Sequence, residues 1–397
     1  MSASAVAARD RHPGKEWPDS AIVRLIETAE MTAGYFGLVD DVLKQRIATL
    51  VRAIIPTRAD ATIEGMRQVR QLIASRIEMA ADRIAYPEIE AERIERPIFV
   101  VGAPRTGTTI LQALLALDEG ARTPLALHTR SPSPPPGAGP VTQMRIDRVR
   151  QDLIQMLEVS PGLLKLHPYW DKYEDTLIED EEVFALDFQN CYPTLLYRVP
   201  GVTAGVGAKD AAGAYRFHRQ FLQHMQWRQP TGHWVCKGVY HQWALEALLA
   251  EYPDALCIWP HRAPSQVYPS MLNMVASYYG SMTNWTQDFT SVGRTVLERA
   301  AAGLERAIAS PMVDDPRVLH VSFKELSADP AALVAKAYQA WDMPVRPAFQ
   351  EAMQGWLADP GNRADRYGRH SYDLAPFGIT KEEIDEIFAV YRQRFSL

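Results

Sequence analysis

The stretch VVGAPRTGTTILQALLAL, Val100 to Leu117, constrains this chain more than any other. An apolar run bounded by Pro97 and Gly102 reads as a strand buried on both faces. Past Gly107 the apolar residues recur at helical spacing, so the segment is strand, tight turn, helix. Such a turn aims successive backbone N–H groups at one point, and the helix start adds its positive dipole end. The product is an anion site suited to a phosphate. Gly102 and Gly107 shape the turn, Arg105 places a charge inside it, and Thr108 and Thr109 offer hydroxyls. Gly107 is expected to let a ligand come close to the backbone.

The Gly102–Gly107 spacing copies the nucleotide-binding pattern GxxxxGK[ST], with Thr108 standing where that pattern demands lysine. The strand candidate Ala255–Arg262 ends in His261 and Arg262, where an aspartate would be needed to hold Mg²⁺. Both features weigh against a P-loop kinase or NTPase. That reading and a non-catalytic nucleotide-binding interaction protein remain the alternatives.

Further strand candidates lie at His233–Val239 and Arg317–Phe323, with helical stretches such as HQWALEALLAEY between them. Alternating strands and helices imply an α/β fold: a P-loop-like parallel sheet flanked by helices. Ahead of it comes an N-terminal helical segment. There Ile22, Leu25, Ile26 and Ala29 share one face, and Val42, Leu43, Ile47, Leu50 and Val51 another. The division is therefore 1–95, helical, and 96–397, α/β. The helical part reads as a packed layer or a homodimer surface.

A chain of 397 residues, 47% apolar and 23% charged, has the makings of a folded globular protein, and its net charge of −6 disfavours nucleic-acid binding. Cys191, Cys236 and Cys257 form no CxxC pair, so they read as buried free thiols and no metal is expected. No apolar run spans a bilayer and the first residues lack a signal-peptide pattern, so a cytoplasmic protein is expected. SPSPPPGAGP, Ser131 to Pro140, reads first as a stiff surface linker, and second as a loop near a substrate mouth. The acidic run EDTLIEDEEVFALDF reads as a solvated face or a helix start. Aromatics such as Trp170, Tyr173, Phe184, Phe188 and Tyr192 read as core before they read as pocket lining.

GAPRTGTT resembles the 5′-phosphosulfate loop of the sulfotransferases that use PAPS (3′-phosphoadenosine 5′-phosphosulfate), in the broad bacterial branch. AADRIAYPEIEAERIERPIFVVG resembles the approach to that loop. WVCKGVYHQWALEALLAEYPDALCIWPHRAPSQVYPSML resembles the family's second signature, and GRHSYDLAPFGITKEEIDEIFAVYRQRF its last segment. The resemblance implies PAPS as donor, no metal, and a small-molecule hydroxyl acceptor. It assigns Arg105, Thr106, Gly107, Thr108 and Thr109 to the 5′-phosphosulfate, and Arg262 and Ser270 to the 3′-phosphate. Arg366 and Arg369 would close over that phosphate.

Sulfuryl transfer needs cations near the bridging oxygen and a base for the acceptor hydroxyl. Arg105 and Lys237 are the candidate cations. Lys237 is the one charge in HWVCKGV, at a strand's C-terminal end. His128 and His241 are the candidate bases, histidine having an ordinary pKa near neutrality. His128 stands where relatives carry a glutamate, and His241 follows Lys237 as in the second signature. Glu181 and Glu182 rank behind them.

Overall fold

Ile98, Phe99, Val100 and Val101 form the central strand β1 (Ile98–Val101), buried along its whole length. Its side chains point alternately to two cores. Phe99 and Val101 join Phe184, Tyr215 and Trp259 on one face. Ile98 and Val100 join Leu111, Leu326 and Tyr338 on the other. A strand covered on both sides belongs in a parallel sheet clothed by helices. The computed structural model, which describes residues 17–53, 59–159, 163–189, 211–229, 232–282, 289–368 and 372–397, has that architecture.

The other strands are β2 (Ala121–Arg122), β3 (His233–Gly238), β4 (Leu256–His261) and β5 (Val318–Ser322). The five run in the order β2-β3-β1-β4-β5, every pair parallel. Four of them fall on the apolar runs read from the sequence; the two-residue β2 carries no such run. Val100 pairs with Lys237 on one side and Ile258 on the other. The turn after β1 therefore opens between the ends of β3 and β4. Ligands of open parallel sheets gather at that end.

Three helices precede the sheet: α1 (Asp19–Ala33), α2 (Asp41–Ala53) and α3 (Ala59–Ala85). They share a core of Ile22, Ile26, Leu43, Ile47 and Val51. Val42, expected on the inner face, is 59% exposed. It lies about 100° around the helix from Leu43, and the stripe closes without it. Ala185 and Phe188 pack into the same core. Asp187 beside them is buried between Arg46 and Arg76, the latter donating from Nε at 3.0 Å.

The proline-rich segment is no free linker. Ser131, Pro132 and Pro135 are buried. Arg145 donates to the Ser131 and Pro134 carbonyls, and Arg148 to the Ser131 hydroxyl. Proline gives the segment few donors of its own, so side chains arriving from outside satisfy its carbonyls. No helix among the described residues is long and apolar enough to cross a membrane.

Candidate active site

The turn at the end of β1 is built from unusual backbone. Gly102, Arg105 and Gly107 have φ of 133°, 67° and 96°. Gly107 is the N-cap of α4 (Thr108–Leu115) and provides no side-chain cap. The first N–H groups of α4 have no intrahelical acceptor, and they carry the positive end of its dipole. An oxyanion fits there.

The glycine at 107 serves packing as well. A Cβ added to it would stand 2.2 Å from Leu326 Cδ2, on α7 (Phe323–Ala328) beneath the turn. The missing side chain thus makes room for a neighbouring helix, where the sequence suggested room for a ligand. Thr106 also differs from expectation. Its buried hydroxyl donates to the Ala103 carbonyl at 2.7 Å, tying the turn together, so only its backbone can face an anion. Thr108 is buried at the helix start.

Arg262 comes to this turn from beyond β4. Its NH1 donates to the Arg105 carbonyl at 2.8 Å and its Nε to Gln266 Oε1 at 3.1 Å. Its guanidinium lies 4.0 Å from the centre of the Phe323 ring. Burial, and then the charge of Arg105, lower its pKa. Among the described residues neither Arg105 nor Arg262 pairs with a carboxylate. Two neighbouring guanidinium groups without a counter-ion make a place for an anion. Ser270 lies on α6 (Pro264–Met282), 3% exposed.

Lys237 enters from β3 on the opposite side. Its Nζ lies 3.4 Å from Thr109 Oγ1 and donates at 2.8 Å to Glu179 Oε1. Glu179 was not singled out from the sequence. It is the N-cap of α5 (Asp180–Leu186), yet it does not cap that helix. Its carboxylate turns to Lys237 and stays about a third exposed, at 34%.

The segment before Glu179 is pinned three ways. Ala126 N donates to Thr176 O at 2.9 Å, Ile178 N to Pro124 O at 3.3 Å, and Gln112 Nε2 on α4 to Ile178 O at 2.9 Å. Burial would raise the Glu179 pKa, but Lys237 and then His167 outweigh it and hold the group below the ordinary glutamate value. His167, also missed from the sequence, lies within reach of the charges of Glu179, Lys237 and Arg105. Burial brings its pKa down to about 4.

The two histidines read as bases sit elsewhere. His128 is the third residue of the helix Ala126–Arg130, and its Nδ1 accepts from Leu125 N at 3.2 Å. Burial, then Arg122 and Arg145, push its pKa to about 3. His241 has no exposed surface. Its Nδ1 meets the Tyr215 hydroxyl at 2.8 Å and its Nε2 meets Asp180 Oδ2 at 3.0 Å.

Arg366 is likewise engaged. It grips the Asp171 carboxylate and the Pro168 carbonyl and lies against the rings of Tyr169 and Tyr367. A phosphate would have to displace those partners. Arg369, like Cys191 and Tyr192, lies outside the described residues. Cys236 and Cys257 are buried free thiols, their pKa values raised by burial, that of Cys257 to about 12.

The acidic run proves to be a helix start that is mostly buried rather than solvated. Asp180 and Glu181 are both buried, and Glu181 Oε1 accepts from Tyr240 N at 2.8 Å. Burial, and then the Glu179 charge, raise the Glu181 pKa from 4.5 to about 8. The unfolded chain thus releases this proton near pH 4.5 while the folded chain keeps it to about pH 8, so stability falls with rising pH across that window. Glu181→Gln keeps the acceptor for Tyr240 and removes the charge. Its unfolding free energy is expected to equal the wild type near pH 4.5 and to exceed it increasingly toward pH 8, by about 1 kcal/mol or more, with the thermal midpoint rising in step. Equal pH slopes in thermal melts would refute this.

An open parallel sheet whose central strand ends in an anion-cradling turn, flanked by Arg262 and Lys237, defines a P-loop-like α/β protein. A model described as the sulfotransferase family matches residues 97–347, and the chain belongs to that family. Among solved structures, sulfotransferase STF9 from Mycobacterium avium is similar, with a TM-score of 0.80 at 24% identity over 98% of this chain and 99% of that one. Sulfotransferase STF1 from Mycobacterium tuberculosis has a TM-score of 0.74 at 24% identity over 93% of this chain and 98% of that one. No curated protein matches the chain.

Proposed function

We propose that the protein transfers the sulfuryl group of PAPS to a hydroxyl of a small-molecule acceptor. The observation that carries this reading is the contact of Arg262 with the Arg105 carbonyl. It brings a guanidinium that pairs with no carboxylate among the described residues from beyond β4 onto the turn after β1. One nucleotide could then touch both, its 5′-phosphosulfate on the N–H groups from Arg105 to Thr109 and its 3′-phosphate near Arg262 and Ser270.

The acceptor oxygen attacks sulfur, and the bond from sulfur to the bridging phosphate oxygen breaks. The electron pair leaves with adenosine 3′,5′-bisphosphate, and the acceptor proton goes to a base. Lys237 and Arg105 stand where they would neutralise the leaving phosphate. We place the base at Glu179 rather than at His128 or His241. Glu179 is ionised, partly exposed and next to Lys237, whereas His241 is sealed in and His128 has Nδ1 committed to backbone.

The binding test is a titration with adenosine 3′,5′-bisphosphate in the presence of a metal chelator. Binding is expected without metal, and Arg262→Ala should weaken it about 10- to 100-fold, as expected for a lost charge-assisted contact. Tighter binding of ATP that depends on Mg²⁺ would sink the proposal and favour a kinase or NTPase.

A further inference from the structure

His241 and Asp180 lie behind the reacting groups, with no exposed surface on either. Asp180 is the first residue of α5, directly after Glu179. A helix of seven residues has little stability of its own, and this one lacks a side-chain N-cap. Tertiary contacts must therefore hold its first turn in place.

The proton arrangement around Asp180 follows from the partners. A buried carboxylate accepts hydrogen bonds, so His241 carries its proton on Nε2 and donates it to Asp180 Oδ2 at 3.0 Å. Nδ1 is then an acceptor, and the Tyr215 hydroxyl donates to it at 2.8 Å. His218 Nε2 stands 3.1 Å from the same carboxylate oxygen, off the line of a good hydrogen bond, while its Nδ1 meets the Tyr252 hydroxyl at 2.7 Å. Two imidazoles thus bracket one carboxylate, and a tyrosine backs each imidazole. Beside His241, Tyr240 N donates to Glu181 Oε1 at 2.8 Å. The turn after β3 therefore grips α5 at two successive residues, while Lys237 at the end of β3 grips Glu179.

We infer that His241 and Asp180 are positioning residues: the Tyr215–His241–Asp180 chain fixes the first turn of α5, and so holds the Glu179 carboxylate beside Lys237 at the reacting oxygen. The inference rests on Glu179 being the base. It gives His241 a role in the reaction in which it touches neither donor nor acceptor. The order of the motif acquires a reason as well. Lys237 and His241 leave the same strand end, one to meet Glu179 directly and the other to meet the residue next to it.

The test compares His241→Leu with His241→Gln. A glutamine Nε2 can stand where the imidazole Nε2 stood and still donate to Asp180, but an amide cannot take up a proton. His241→Leu is expected to lower kcat about 10- to 100-fold with the affinity for adenosine 3′,5′-bisphosphate within twofold of wild type. His241→Gln should recover kcat to within about threefold of wild type. These factors follow from the sensitivity of positioned groups to displacements on the order of 1 Å.

Tyr215→Phe, which removes only the hydroxyl on Nδ1, carries the test if the leucine variant does not fold. It should lower kcat about 3- to 10-fold, again with donor affinity unchanged. Equal loss in His241→Leu and His241→Gln would overturn the inference, because His241 would then be needed for its proton. A lowered melting temperature in either variant with kcat unchanged would overturn it too, leaving a merely structural role.

Asp180, His218 and Cys236 bring one ligand-type atom each within 4.8 Å of one another. A stoichiometric transition metal in the purified protein would therefore also overturn the proton arrangement. Failure of wild-type protein to bind adenosine 3′,5′-bisphosphate would instead overturn the donor assignment, so the two failures are told apart.

Discussion

Glu179→Gln is expected to lower kcat about 10²- to 10⁴-fold, the range for removing a general base. The amide keeps the shape of the side chain and a carbonyl oxygen for Lys237, which donates to Oε1 at 2.8 Å. It cannot accept the acceptor's proton. Donor affinity should stay within about threefold, because the proposed nucleotide contacts are the turn and Arg262 and not Glu179. Single-turnover measurements at saturating donor read the effect without product release. Turnover within threefold of wild type would show that another group takes the proton. His167, close enough for Glu179 and Lys237 to act on its ring, would be next in line.

Gly107→Val is expected to remove donor binding and most of the turnover, and to destabilise the fold. Position 107 has φ of 96° and its Cβ would fall 2.2 Å from Leu326 Cδ2. Backbone strain at such a φ costs about 1–3 kcal/mol, and overpacking costs about 1–3 kcal/mol more. A shift of the turn also misaligns the N–H groups that define the anion site, so affinity for adenosine 3′,5′-bisphosphate should drop at least about tenfold. Combining the change with Leu326→Ala should relieve the clash while leaving the dihedral strain. Stability should then recover in part, with binding still weak. Unaltered melting and binding in Gly107→Val would mean that α7 moves aside freely.

The turn could be read from residues because its physics is local: an apolar strand, two glycines and a helix start within one short stretch. The capping box of Thr380 and Glu383 is equally local, its two residues three apart in sequence, and both of its hydrogen bonds form. Lys237 stood out because one charge in an apolar strand is conspicuous. Glu179 did not, since it sits in a run with Asp180, Glu181 and Glu182 where charge alone says solvated helix start. Only the fold shows that each of the four acidic groups has a distinct partner: Lys237 for Glu179, two histidines for Asp180, a backbone N–H for Glu181 and the Thr129 hydroxyl for Glu182.

The histidines drew notice for their chemistry, but burial is a tertiary property. His241 has both nitrogens committed to residues far away in sequence, Tyr215 and Asp180. His128 stands where relatives carry a glutamate, and its Nδ1 accepts from the backbone N–H of Leu125. Arg366 shows the same limit. The resemblance assigns it to the 3′-phosphate, and its contact with Asp171 is invisible in the sequence.

Asp187 closes the far end of α5 between Arg46 and Arg76, so the short rod bearing Glu179 is bolted to the front helices at its other tip. Those helices are consequently a poor unit for exchange among relatives. A transplanted front layer whose arginines sat even slightly differently would swing the Glu179 carboxylate, the proposed base, as well. Any change of acceptor preference made that way would come bundled with a change in rate.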